Sequence, residues 1–271
     1  MAPATVITLG ITNGFLSVFG GVMNILVTVV ILQNAELQKG LNLLIVSLTA
    51  ADLINCLVAQ PMYVYYLSNG DVSNSFLVTF ELIAYIGLHA VVSNLIIITY
   101  HRMKALSRPF SHLLQVSRKD LFVGIVLTWV VSIVIGVVFA PSLPGQAAGA
   151  YFHAVMIALL VLTYMRILWV SKRKRGQIAE QMGTASYHHQ AATLEQENAA
   201  AVTSAILVGA TLLCFLPDVI LDLISWKDAQ FYRRKWNYTM LFSCSTLTPC
   251  LVIWRSQQLR KALLHTLNIG N

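Results

Sequence analysis

Seven apolar runs, each long enough to cross a bilayer as a helix, divide this chain almost without remainder. They fall at roughly 6–32, 41–67, 75–103, 120–140, 150–171, 200–225 and 236–254. An α-helix rises about 1.5 Å per residue, so some 20 apolar residues span a hydrocarbon core of roughly 30 Å. Only 11% of the 271 residues are charged, while 57% are hydrophobic and the mean hydropathy is +0.70. A soluble domain carries about a quarter charged residues. That deficit leaves too little polar surface for water, and lipid is the solvent that suits such an exterior. The expected fold class is therefore an all-α membrane protein, a seven-transmembrane helix bundle that takes up 1–271 as a single domain.

The polar remainder is short. Residues 172–199 form the one long polar stretch and are expected to be an intracellular loop, partly helical by extension of its flanks. His188 and His189 within it are read as solvated surface, so no metal is expected there. Residues 255–267 place Leu259, Leu263, Leu264 and Leu267 on one face, the pattern of a short amphipathic helix lying on the membrane surface. The first run continues too long, and without a basic leader, to read as a signal segment, so it is expected to be the first membrane helix.

A net charge of +7 raises the question of nucleic acid. The basic residues, however, sit in small clusters between apolar runs, which is the pattern left by the positive-inside rule, and nucleic acid is excluded as a partner. With the N-terminus outside, the inner segments hold Lys39, Lys104, Arg108, Arg118, Lys119, Lys172, Arg173, Lys174, Arg175, Arg255, Arg260 and Lys261. The outer segments hold only Lys227, Arg233, Arg234 and Lys235. The expectation is a multi-pass protein of the plasma membrane with an extracellular N-terminus and a cytoplasmic C-terminus.

Polar groups inside hydrocarbon are costly, so each one asks for a reason. Asn24, Asp52 and Asn94 lie mid-run; Arg102 ends the third run; Trp129 lies in the fourth; Pro217 and Pro249 interrupt the sixth and seventh. Taken singly, the amides and the acid read as interhelical hydrogen-bonding groups, Arg102 as a side chain snorkelling to the headgroups, and the prolines as tolerated kinks.

Taken in order, these residues resemble the rhodopsin-like family of G-protein-coupled receptors. That family carries an Asn in helix one, Leu-x-x-x-Asp in helix two, Asp-Arg-Tyr at the end of helix three and a Trp in helix four. It also carries Cys-Trp-x-Pro in helix six and Asn-Pro-x-x-Tyr in helix seven. The counterparts here are Asn24, Leu48 to Asp52, Arg102, Trp129, Cys214-Phe215-Leu216-Pro217 and Pro249, with Ser256 to Leu264 similar to the family's eighth helix. Thr163 to Leu168 and Thr193-Leu194-Glu195 look like adenosine receptors; Met156 and the missing outer disulfide look like melanocortin receptors. The chain is thus placed near the adenosine, melanocortin and cannabinoid cluster.

The resemblance implies a receptor that passes an extracellular signal to a cytoplasmic heterotrimeric G protein, not an enzyme. Its implied switch comprises Arg102, His101, Glu197, Tyr164, Phe215, Pro217 and Pro249. Arg102 would pair with Glu197 from the inner end of helix six, which lies twenty residues before Pro217; the alternative is that Glu197 is solvated. Tyr164 resembles the helix-five tyrosine that supports the open state. The pattern departs at several positions: His101 replaces the Asp beside Arg102, Met103 replaces the Tyr, Phe215 replaces the helix-six Trp, and Thr248 and Val252 replace the Asn and Tyr of helix seven.

The implied ligand pocket involves Glu81, Ala84, Asp218, Asp222 and Phe242. Ala84 stands where amine receptors carry an Asp. Asp218 and Asp222, four apart, share one helix face. Three carboxylates point to a cationic ligand, a basic peptide or a bridging cation; the alternative is that Asp222 meets outer water and Asp218 pairs with His89 or His153. Across the family the extracellular ligand is a small molecule, lipid or peptide, and membrane lipid is a further partner. No cofactor is expected. An internal sodium ion at Asp52 is the one group the resemblance implies, in a site thinned by Val91 and Cys244. Asp52 is otherwise expected to be neutral or paired with Asn24 or Asn94.

Other function classes fit less well. A transporter would show paired half-repeats with matching broken helices, and there is no internal repeat. A membrane enzyme would need clustered catalytic ligands, and no such arrangement stands out. A receptor-shaped protein that does not couple, a scavenger or a partner subunit, is kept open by the altered motifs of helices three and seven.

Orientation gives the first testable outcome. A tag at the N-terminus should stain on intact cells, and one inserted within 172–199 only after permeabilisation. Loop staining on intact cells reverses the topology.

Overall fold

The computed structural model describes residues 3–38, 42–107, 117–139, 143–179, 202–220 and 230–266. Seven long helices run through them: α1 (Pro3–Gln33), α2 (Asn42–Asn69), α3 (Asn74–Ser107), α4 (Arg118–Phe139), α5 (Leu143–Ala179), α6 (Val202–Ile220) and α7 (Gln230–Arg255). A short α8 (Gln257–Thr266) follows, and there is no strand among the described residues. By length and composition α1, α2, α3, α4 and α6 are each able to cross a membrane, and Ala154–Val170 of α5 is a shorter apolar stretch. α5 runs on as far as Ala179, so the start of the 172–199 stretch is helical; the rest of that stretch up to 199 lies outside the described residues.

α3 is the central helix. It packs against α2, α4, α5 and α7, and its apolar window is 67% buried, against 33% for α4. α4 accordingly turns Phe122, Val126, Val130, Val134 and Val137 outward, a face that only lipid would accept. α1 packs on α2 and α7, and α8 folds back against α1 and α7 with Leu259 buried. Ser256 caps α8: its hydroxyl accepts the Leu259 N–H at 3.2 Å.

Small residues set the helix spacing, because between membrane helices packing has to supply what the hydrophobic effect does not. A methyl group at Gly20 of α1 would lie 2.7 Å from Thr246 Oγ1 of α7 and 2.8 Å from Cys56 Sγ of α2. One at Gly136 of α4 would lie 2.5 Å from Ile86 Cγ1 of α3, and one at Gly87 of α3 would lie 2.1 Å from Asn55 Oδ1 of α2.

α2 is irregular at Asn55–Ala59, where the helix widens into a π turn and the Gln60 N–H bonds to the Asn55 carbonyl five residues back. Pro61 follows directly and has no N–H to donate, which favours such a local adjustment of the ladder. α2 ends at Gly70, whose φ of 68° is in the region open to glycine.

The α1 contact generates a stability test. Gly20→Ala should cost about 1–3 kcal/mol through overpacking against α2 and α7. Gly10→Ala, where nothing lies within 4 Å of the added methyl, should be neutral or slightly stabilising. Thermal unfolding in one detergent compares the two; equal midpoints would contradict the close approach.

Candidate receptor core and switch

The bundle interior is organised around Ser245 on α7. Asn24 on α1 donates from Nδ2 to the Ser245 carbonyl at 2.9 Å and to the Gly20 carbonyl at 2.9 Å. Asn55 on α2 donates from Nδ2 to the Ser245 hydroxyl at 3.0 Å. Asp52, one turn inward on α2, is fully buried, with Ser245 as its hydrogen-bonding neighbour in charge terms but with neither carboxylate oxygen completing a bond of good geometry. Three helices thus meet at one serine.

A second polar layer lies outward of it. Gln60 Nε2 donates to Asn13 Oδ1 at 3.3 Å, and Asn13 Nδ2 donates to Thr239 Oγ1 and to the Leu9 carbonyl, both at 2.8 Å. Beside it, Tyr63, Phe80, Tyr238 and Phe242 form a four-ring cluster in which every pair of centroids lies between 5.1 and 6.5 Å. These rings fill the space between α2, α3 and α7. On the inner side Trp129 Nε1 donates to Ser47 Oγ at 3.2 Å, tying α4 to α2, and Thr28 and Thr49 share a hydroxyl bond of 2.8 Å between α1 and α2.

This arrangement of seven helices superposes on squid rhodopsin with a TM-score of 0.85 at 16% identity, covering 99% of this chain and 87% of that one. The model of the 7 transmembrane receptor (rhodopsin family) matches residues 23–143, which run from the α1 core past the end of α4. The human muscarinic acetylcholine receptor M1 is 32% identical over 143 residues, 52% of this chain and 30% of that receptor. Over residues 23–143 the chain is similar to the rhodopsin family of seven-transmembrane receptors, and it shares the fold of squid rhodopsin. The Drosophila melanogaster dopamine D2-like receptor is 32% identical over 126 residues, 45% of this chain and 13% of that one. Each of these matches spans less than a third of the relative's own length. The chain's long apolar helices are those of a multi-pass membrane protein.

The residues expected to form the switch are spread along the length of the bundle. Arg102 and His101 sit near the inner end of α3, Arg102 partly exposed and His101 buried with its ring edge-on to Tyr100 at 5.6 Å. Tyr164 packs from α5 against the core. Phe215 is fully buried on α6, two residues before Pro217, and Pro249 lies inside α7. Glu197 lies outside the described residues, as do Asp222, His188 and His189.

Among the expected ligand residues, Glu81 is partly buried on α3, and Ala84 is fully buried one turn inward. Phe242 is fully buried within the ring cluster. Asp218 on α6 accepts a bond from Asn237 Nδ2 of α7 at 3.1 Å, joining the outer parts of these two helices. Asn237 is thus a partner of Asp218 that the expectation of a histidine did not contain.

One expectation needs correction. Asp52 is not hydrogen-bonded to Asn24 or Asn94: Asn24 spends both N–H groups on the Gly20 and Ser245 carbonyls, and Asn94 donates to the Ala90 carbonyl at 2.8 Å, while neither Asp52 oxygen has a partner. Each amide turns back to a carbonyl of its own helix, which leaves its oxygen, not its NH2, free to point away. Asn24 Oδ1, Asn55 Oδ1, Asn94 Oδ1 and both Asp52 oxygens are buried without a hydrogen-bond donor. Cys56, Cys214, Cys244 and Cys250 are free thiols within the helices.

Sequence reading missed Asn55 and Ser245, although both were polar residues in apolar runs; Asn55 lies just three positions after Asp52. Their joint role generates a test. Asn55→Ala and Ser245→Ala should each cost about 1–3 kcal/mol by stranding a buried polar partner. The double variant should cost less than the sum by roughly 0.5–1.5 kcal/mol, read from thermal unfolding midpoints. Strict additivity would deny the bond between α2 and α7.

Proposed function

We propose that this receptor couples an extracellular ligand to a cytoplasmic heterotrimeric G protein at the plasma membrane, with its N-terminus outside. The observation that carries the reading is the polar interior: Asn24 and Asn55 bonded to Ser245 across α1, α2 and α7, with Asp52 buried beside them and Arg102 toward the end of α3. Signalling by such a frame is a two-state equilibrium, in which outer contacts bias the position of the inner ends of the helices.

In this reading Arg102 is the residue that meets the G protein once the inner ends of α5 and α6 open. Glu197 holds it in the resting state, and Tyr164 supports the open one. His101 stands where the family places an acid, so the residue before Arg102 supplies no carboxylate. Near 1.4 kcal/mol of lost restraint shifts the resting equilibrium about tenfold.

The ligand contacts the outer halves of α3, α6 and α7, on the side of Glu81 and Asp218, since the ring cluster closes the side between α2, α3 and α7. The carboxylates of Asp218, Asp222 and Glu81 favour a cationic group on that ligand. Carboxylate and amide oxygens are the donors that a hard cation prefers. The donor-free oxygens of Asp52, Asn24 and Asn55 fit a sodium ion next to Ser245, where it would neutralise the buried acid; Asn94 lies further inward on α3, with no bond joining it to that serine.

The reading is tested by basal and ligand-stimulated signalling per surface receptor. Arg102→Ala should abolish coupling while the protein still reaches the surface. His101→Asp should lower basal activity, and Glu197→Ala should raise it. An Arg102→Ala variant that signals like the parent would mean that Arg102 does not make the coupling contact, and would favour a receptor-shaped protein that does not couple.

A further inference from the structure

Two cysteines face each other where α6 meets α7, just before the α6 proline. Cys214 lies three residues before Pro217, Cys244 lies five residues before Pro249, and both are buried. Their thiols are neighbours, and each also meets a hydroxyl on the opposite helix. Cys214 Sγ is 3.6 Å from the hydroxyl of Ser243, the residue before Cys244. Cys244 Sγ is 3.5 Å from the hydroxyl of Thr211, one turn before Cys214. Both hydroxyl protons are spent on carbonyls of their own helices, Ser243 on Met240 at 2.6 Å and Thr211 on Leu207 at 2.9 Å. A hydroxyl has one proton to give, so toward the thiols these two oxygens accept. Each S–H therefore points at a hydroxyl oxygen, and the two sulfurs face one another through lone pairs with no proton between them.

The other two thiols are placed differently. Cys250 donates to the Thr246 carbonyl of its own helix at 3.4 Å, and Cys56 lies against the Thr246 hydroxyl. We propose that Cys214 and Cys244 form a site of oxidative modification, closing to a disulfide that clamps α6 on α7 when an uncharged organic hydroperoxide reaches them from the bilayer. A charged oxidant would have to shed its water to reach this depth, whereas a hydroperoxide carried on an acyl chain is already dissolved in hydrocarbon. The way in is short. Leu213, beside Cys214, is 77% exposed on the outer wall, and Ser243 is half-buried, so Cys214 sits one side chain in from the exterior.

The chemistry runs in two steps. The Cys214 sulfur attacks the outer peroxide oxygen and the O–O bond breaks. The thiol proton passes to the departing alkoxide, which leaves as an alcohol, and Cys214 becomes a sulfenic acid. The Cys244 sulfur then attacks the Cys214 sulfur, the S–O bond breaks, and the hydroxide leaves as water with the Cys244 proton. Two thiols have lost two electrons and two protons, and the hydroperoxide has taken them up as one alcohol and one water. A disulfide needs its two Cβ atoms roughly 3.5–4.5 Å apart, and the reciprocal thiol–hydroxyl contacts already hold α6 and α7 close at this level. The bridge would tie α6 to α7 beside Pro217, which has no N–H to give to the helix ladder and so marks the weak place in α6. The inference stands whether or not the bundle couples to a G protein.

The test uses the full chain in lipid nanodiscs, treated with cumene hydroperoxide at a level that consumes a lipid-soluble thiol in the same discs. After denaturation in a thiol-blocking reagent, the parent should carry two blocked cysteines, Cys56 and Cys250, and a digest should contain one peptide pair joined through Cys214 and Cys244. In Cys244→Ser the reaction should stop at the sulfenic acid, captured on Cys214 by a 1,3-diketone, and no bridge should form. Oxidation of the parent should slow amide hydrogen exchange in Val202–Leu213 roughly tenfold and raise the unfolding midpoint by about 5 °C, and a reductant should reverse both. Cys244→Ser should show neither change. Four blocked cysteines after treatment overturn the proposal, as does a bridge that includes Cys56 or Cys250. A bridge that forms without slowing exchange in α6 overturns the clamp. Absence of the diketone adduct on Cys214 in Cys244→Ser overturns the order of the two steps.

Discussion

A polar group in hydrocarbon has no water to fall back on, and the whole bundle is arranged around that single constraint. Most interior amides and hydroxyls among the described residues turn to a carbonyl of their own helix or to a group on a neighbouring one. Asn13, Asn24, Asn94, Thr99, Ser132, Thr211 and Thr248 all bond to the carbonyl four residues back. Other donors cross to another helix, and crossings such as Asn24 and Asn55 to Ser245, Asn13 to Thr239 and Trp129 to Ser47 fix how the helices are turned. The glycines at 20, 87 and 136 then let the backbones come close enough for these bonds to form.

Much of the fold was legible because the bilayer imposes a strong rule on sequence. A run of apolar residues of the right length has one regular solution, a helix, so the seven runs foretold α1 to α7 to within several residues. The eighth helix followed from the spacing of its leucines. Two features escaped: the early start of α5 at Leu143, in a stretch carrying Pro144, Gly145 and Gly149 that reads as a loop, and the π turn in α2, which leaves hydrophobic periodicity nearly unchanged.

The site was legible in outline and not in its bonds. Asn24, Asp52, Arg102, Pro217 and Pro249 stood out as polar or helix-breaking residues in apolar surroundings. Their partners did not, because partnership between helices depends on rotation about each helix axis, which sequence spacing does not contain. Ser245 looked like an ordinary small polar residue, yet it binds two helices through its hydroxyl and its carbonyl. The pairing of Asp52 with an asparagine failed for a related reason: an amide inside a helix finds its own i−4 carbonyl before any carboxylate on a neighbour.

The π turn of α2 has a consequence for reading this chain beside its relatives. Leu44, Leu48, Asp52, Cys56, Gln60, Tyr63 and Leu67 all face inward and are buried, a stripe that recurs nearly every four residues. In a regular helix, positions four apart drift by about 40° each time, so after several turns such a stripe would wind around to the outside. The wide turn at Asn55–Ala59 absorbs that drift by taking up one extra residue. It is what lets Asp52 face Ser245 while Tyr63, eleven residues later, still faces Phe80 and Tyr238. A family member without the turn has to be aligned with a one-residue gap in this segment. Without that gap every residue of the outer half of α2 would be matched to a neighbour pointing about 100° away.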